Sequence, residues 1–227
     1  MPVKSSNDHY GSVAVTIHWL SGTAEETQLT MSYEILRLIH ILGLALISGG
    51  LIGVFVADLR SRQLSDLHVF AEAVRNIAVF YDGVVVPGAL LLLISGIWLI
   101  IEFHGGWEFL QTPWLAGMVL LFAFEFVEGN TVTRLYFMRL RRLAREAVEK
   151  GEVTPELSDA RQKELVPTFT HFLDIPLLLV IVSLGVFRPD TWTQAVVGIA
   201  IALVVATCLT IALPRLYPWQ PEKLNRS

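Results

Sequence analysis

Charge is scarce in this chain and cysteine almost absent. Of its 227 residues, 17% are Asp, Glu, Lys or Arg, where a soluble globular domain carries roughly 25%. With 53% hydrophobic residues and a mean hydropathy of +0.56, that shortfall points to an integral membrane protein in a lipid bilayer. The single cysteine, Cys208, excludes an intrachain disulfide framework and reads as a small apolar residue of a helix. A net charge of −4 with no basic block gives no nucleic-acid signal. There is no G-x-x-x-x-G-K-[ST] loop, no H-E-x-x-H, no G-x-S-x-G and no Cys pair, which lowers the case for nucleotide-driven, hydrolytic or disulfide chemistry. No internal repeat argues for an inverted-repeat transporter, and no residue is assigned a catalytic role.

Residues 1–30 form a polar N-terminal extension without the apolar centre of a cleavable signal peptide. Met31 opens a segment that would itself be a natural start for a membrane protein.

What is present is apolar sequence in long runs. A helix needs about 20 mostly apolar residues to cross the hydrocarbon core. Five stretches qualify: Ile35–Val56, Ile77–Ile101, Pro113–Val132, Thr168–Phe187 and Ala195–Leu213. The expected fold is therefore an all-α, polytopic bundle of about five transmembrane helices over residues 31–216. A basic helical loop at 134–166 and a cytoplasmic tail at 217–227 complete it. Asp66–Asn76 reads as a short amphipathic helix lying at the membrane surface.

Positive charge sets the expected orientation. Arg60, Arg62 and Arg75 follow the first span, and the connection after the third is richer still, from Arg134 through Arg145 to Lys163. The loop Glu102–Thr112 has no Lys or Arg. Because cytoplasmic loops collect Lys and Arg, the N-terminus is expected outside and the C-terminus inside. Trp98, Trp107, Trp114 and Trp192 then fall at the outer boundary as an aromatic belt.

Against this apolar background the polar residues stand out. His40 lies in the first span, with Gly43 and Gly50 near the same helix face. A histidine over a glycine stripe can ligate haem iron, here haem b, while the glycines leave room for the porphyrin. The competing reading is that the glycines, including Gly49 and Gly53 in a G-x-x-x-G pattern, permit close helix packing. His40 then bonds a neighbour. His171 is the obvious second haem ligand, but the span positions separate it from His40 by about 15 Å along the membrane normal. An outer haem would need another ligand, such as His104, or a single protein ligand.

Glu125 and Glu128 occupy the third span, and His171 and Asp174 the fourth, each pair three residues apart on one helix face. Charged groups at that depth are costly and face a partner, an ion or a water-filled cavity. Both pairs fall in the inner half, level with Asp82 near the inner end of the second span. Together they can hold a metal through oxygen and imidazole, or relay protons. The alternative is that Arg75, Arg134 or Arg161 reaches in and neutralises them. Pro87 interrupts the second span and frees a carbonyl near Gly83.

The segment Ile35–Arg62, with His40 and Gly49-Gly50, and the run Asp82…Pro87…Ser95-Gly96 resemble a known family. It is the family of predicted bacterial integral membrane proteins catalogued as domain of unknown function 2269. The likeness covers most of Met31–Phe187 and implies a multi-pass protein of the bacterial inner membrane. Through His40, the first span is also similar to the HemJ-type protoporphyrinogen oxidases and the copper-resistance D-like proteins, which implies haem or metal linkage. Three functions follow as expectations. They are a haem-associated or redox-linked membrane module, a proton- or ion-coupled transporter or transport accessory protein, and a structural subunit of a membrane complex or homo-oligomer.

Overall fold

The computed structural model describes residues 8–219, with side chains from Thr30 to Trp219. The expected extension over 1–30 thus lies outside the residues with described side chains, Thr30 apart. The chain is all-helical over the described residues: α1 (Asp8–Arg62), α2 (Leu67–Phe80), α3 (Val86–Phe103), α4 (Pro113–Glu128), α5 (Arg134–Lys150), α6 (Pro155–Gln162), α7 (Leu165–Phe187) and α8 (Thr193–Leu216). Five continuous helical segments are long and apolar enough to cross a membrane: Thr30–Arg62, Leu67–Phe103, Pro113–Lys150, Leu165–Phe187 and Thr193–Leu216. Each contains one of the five expected spans. Their outward residues, Leu38, Ile52, Ile94, Leu120 and Val204 among them, are more than half exposed, as a lipid-facing surface requires.

Two of these segments are longer than expected because helices join through π-helical turns. Tyr81–Val85 links α2 to α3, and Gly129–Thr133 links α4 to α5. The first turn lies just before Pro87, which has no N–H to give and disturbs the regular ladder one turn upstream. The amphipathic helix expected at Asp66–Asn76 is α2, and it runs on without a break into the second apolar segment. Nothing between Asn76 and Tyr81 breaks the helix, and Phe70, Val74 and Ile77 are fully buried against α1 and α5. Asp66 caps its start by accepting from the Val69 amide at 2.9 Å.

The 38-residue segment Pro113–Lys150 is about 57 Å long, well beyond a hydrocarbon core of about 30 Å. Its second half, α5, is amphipathic: Phe137, Leu140, Ala144 and Ala147 are buried at three- and four-residue spacing, while arginines cover the other side. Gly151 ends the helix in the left-handed region at φ 71°. The larger of two hydrophobic clusters sits at this basic end, where α2, α5 and α6 close over α1. The smaller joins α4, α7 and α8.

Small residues set the helix approaches. On α1, Gly43 faces α3 so closely that a β-carbon there would lie 2.9 Å from the Leu92 amide nitrogen. Gly88 answers from α3, where a β-carbon would lie 2.7 Å from the Ile47 nitrogen. Without a hydrophobic drive between helices in lipid, such close backbone approach supplies the contact energy.

Candidate functional site

Glu125 and Glu128 end α4, directly before the π turn at Gly129. Across from them, α7 presents His171 and Asp174, both buried. Tyr81, on the other π turn, completes the group. Asp174 stands within electrostatic reach of Glu125 and Glu128. Tyr81 feels the same three carboxyls. A cavity of about 30 Å³ opens among Tyr81, Glu125, Asn130 and Asp174, walled elsewhere by apolar residues of α1 and α3. That is room for a water molecule with polar partners.

The π turns shape this place. A π turn strands backbone carbonyls, and polar side chains here take them up. The Tyr81 hydroxyl donates to the Gly129 carbonyl at 2.8 Å, and the Asn130 amide to that of Phe126 at 2.8 Å. Thr133 donates to Glu128 Oε1 at 2.8 Å and touches the Thr170 hydroxyl at 3.1 Å, tying α4 to α7. By contrast, Glu125 Oε1 and Asp174 Oδ2 are buried with no hydrogen-bond partner. Unsatisfied buried polar atoms are few in folded proteins and mark functional positions.

His171 is boxed by aromatic rings, with Phe137 edge-on at 5.1 Å and Phe55 and Phe172 beside it. Neither ring nitrogen has a hydrogen-bond partner. Nδ1 lies 4.0 Å from Asp174 Oδ2, and Nε2 lies 4.0 Å from Asp58 Oδ2. The imidazole therefore stands between two carboxyl groups from different helices.

Asp58 is the residue that sequence reasoning missed. It is 1% exposed in α1, and it anchors a buried ion cluster. Arg161 NH1 donates to Oδ1 at 2.8 Å and Arg62 Nε to Oδ2 at 2.9 Å. Arg161 also reaches the Ser61 hydroxyl. Burial opposes the charge of Arg161, but the Asp58 carboxylate outweighs it and holds the guanidinium above its ordinary range. The only sequence signal was the i,i+4 spacing of Asp58 and Arg62. Arg161 comes from 103 positions away.

The remaining candidates separate from the cluster. Asp82 does not join it: half-exposed, it accepts from Arg134 Nε at 2.8 Å. Of the three arginines considered as neutralisers, Arg134 pairs with Asp82, while Arg75 pairs with Glu72 and Arg161 with Asp58. Among the described residues, no three of His, Cys, Asp and Glu converge closely enough to hold a metal ion.

His40 is half-buried beside α3, its Nδ1 3.0 Å from the Ser95 hydroxyl, which also donates to the Leu91 carbonyl. The glycine face expected to admit a porphyrin is instead filled. Gly43 meets α3, Gly50 meets Val85, Gly53 meets Phe80, and Gly96 of α3 lies against the His40 ring. His104 is exposed, with Nδ1 3.1 Å from the Leu99 carbonyl. Because His171 approaches α1 at Asp58, it lies about 27 Å along that helix from His40 at about 1.5 Å per residue. The two histidines cannot share one iron.

A bundle of five apolar helices with a buried polar centre defines a multi-pass integral membrane protein. The chain belongs to the family of predicted integral membrane proteins catalogued as domain of unknown function 2269, which matches residues 34–189. No curated protein and no solved structure matches it. The matched stretch contains every residue of the acidic cluster, His171 and the Asp58–Arg161 pair.

Proposed function

We propose that this is a proton-handling membrane protein of the proton-coupled transport class, in which Glu125, Glu128 and Asp174 load and release a proton through His171. One observation carries the reading: a histidine with both nitrogens unpartnered stands 4.0 Å from Asp174 on one side and from Asp58 on the other. Glu125 Oε1 and Asp174 Oδ2 are likewise buried without hydrogen-bond partners, which leaves each able to accept or pass on a proton. At 4.0 Å the histidine is just beyond hydrogen-bond range. A rotation of its ring or one bridging water closes either gap. The adjoining cavity gives Glu125 and Asp174 access to such a water. Protons suit the site better than a metal, given its donor geometry. Nothing comparable supports a haem at His40, whose glycine face is occupied by α3.

The same reading places the basic end, with α5 and α6, on the cytoplasmic side of a bacterial inner membrane, with the N-terminus outside. The arginine-rich surface of α5 supports that orientation.

The test is proton flux in liposomes loaded with a pH-sensitive dye and given an imposed pH gradient. Wild-type protein should dissipate the gradient, with Asp174→Asn and His171→Ala slowing it roughly tenfold or more, the loss typical of a missing acid–base group. Both variants must melt close to wild type. Flux equal to protein-free liposomes, or unchanged in both variants, would falsify the assignment.

A further inference from the structure

At the basic end, a cleft of about 740 Å³ opens between the start of α7 and the end of α8. Its volume falls in the range of small-molecule sites. One wall is apolar, made by Leu165, Val166, Phe169 and Ile211. Leu165 and Val166 are about two-thirds exposed, so this wall opens outward where two membrane-spanning segments end. The lining also includes Arg62, Arg161 and Arg215, the first two buried and Arg215 exposed.

The charges there do not balance. Arg62 and Arg161 share a single carboxylate, Asp58. Glu164 also lines the cleft, but Arg139 pairs with it. Arg215 is exposed and makes no ion pair with any described residue. Among the described residues the cleft lining therefore keeps a net positive charge. Two nitrogens on cleft-lining residues are also buried without hydrogen-bond partners: Arg161 Nε and Trp219 Nε1. Both are donors only. Trp219 is itself fixed, with its ring 5.3 Å from that of Phe70. This excess of positive charge, with Arg215 exposed and unpaired among the described residues, and an apolar wall at a span end are complementary to an anionic head joined to a hydrocarbon chain.

We propose that this cleft binds an anionic amphiphile, with its phosphate head held by the exposed Arg215 and drawn by the buried positive charge of Arg62 and Arg161, and its chain along Leu165, Phe169 and Ile211. Such a ligand would also seal the mouth of the Asp58–Arg161 ion cluster, because Arg62 and Arg161 belong to both.

Full-length protein in a neutral detergent is titrated with phosphatidylglycerol, with phosphatidylcholine of the same chains, and with inorganic phosphate. Binding is counted by native mass spectrometry and by melting temperature. Phosphatidylglycerol should bind and stabilise, phosphatidylcholine much less, and millimolar phosphate not at all. Arg215→Gln should weaken phosphatidylglycerol binding roughly five- to tenfold, the loss expected for one charge-assisted contact, while Trp219→Phe, whose ring nitrogen is buried, should leave it unchanged. Their melting without lipid should be unchanged. Arg215 is exposed, so its variant alone decides the matter if Trp219→Phe folds poorly. Equal binding of the two lipids, protection by phosphate as strong as by lipid, or wild-type affinity in the Arg215 variant would each overturn the proposal.

Discussion

The hydroxyl of Tyr81 donates to the carbonyl of Gly129 at 2.8 Å, joining the two π turns across 48 positions of sequence. Each turn displaces the helix beyond it, and this one bond fixes the two displacements relative to each other at the rim of the acidic cavity. A β-carbon on Gly129 would lie 2.7 Å from the Tyr81 oxygen, so the contact admits no larger residue. Gly129→Ala should therefore destabilise the protein by about 1–3 kcal/mol, the usual cost of overpacking. Tyr81→Phe should cost about 1 kcal/mol by leaving the carbonyl unpartnered. Unfolding in mixed micelles reads both. An alanine variant as stable as wild type would show that the two turns move independently.

The glycines of α1 and α3 divide into two kinds, and substitution should separate them. Gly88→Ala, with its β-carbon driven against the Ile47 nitrogen, should lose about 1–3 kcal/mol, and Gly43→Ala similarly. Gly49 has nothing within 4 Å of its would-be β-carbon, so Gly49→Ala should be neutral or gain up to about 1 kcal/mol. The same unfolding assay, run on all three, checks the contrast. A haem-supplemented preparation should in parallel show no Soret band that depends on His40.

Breaking the buried ion cluster should cost far more than breaking a surface pair. Arg161→Ala leaves Asp58 with Arg62 alone and should destabilise by about 3–5 kcal/mol. Arg145→Ala, whose partner Glu149 is exposed, should change stability by less than about 1 kcal/mol. The raised value of Arg161 means its contribution is present at all lower pH and is lost only above the ordinary guanidinium range, so the pair stays charged under any usual assay condition. Replacing both partners, Asp58→Leu with Arg161→Met, should recover part of the loss. A strictly additive double variant would mean that the two side chains do not interact.

The spans were legible in the sequence because lipid imposes a crude rule: about 20 apolar residues, whatever their neighbours. The helical extension beyond the third span was legible for a related reason, since the three- and four-residue spacing of Phe137, Leu140, Ala144 and Ala147 belongs to one helix face. The cost of burying charge likewise singled out Glu125, Glu128, His171 and Asp174 before any fold was known. What the sequence did not reveal was how each charge is balanced. Asp82 stands on the same turn of chain as Tyr81, yet it meets Arg134, while Tyr81 meets the acids. A π turn shifts the facing of everything after it by one residue, and no local pattern announces that shift. Asp58 did not stand out, because its partner Arg161 arrives from a helix that local pattern cannot position.

Composition and periodicity alone thus determined that the chain is a helical membrane protein with polar residues at depth. These are properties of single segments, set by solvent transfer and helix geometry. Tertiary structure decided which of those residues meet, that His171 faces two carboxyls while His40 faces a serine, and that the glycine stripe is a helix contact. Such choices depend on how segments far apart in sequence are turned toward one another, and only the packed bundle specifies that.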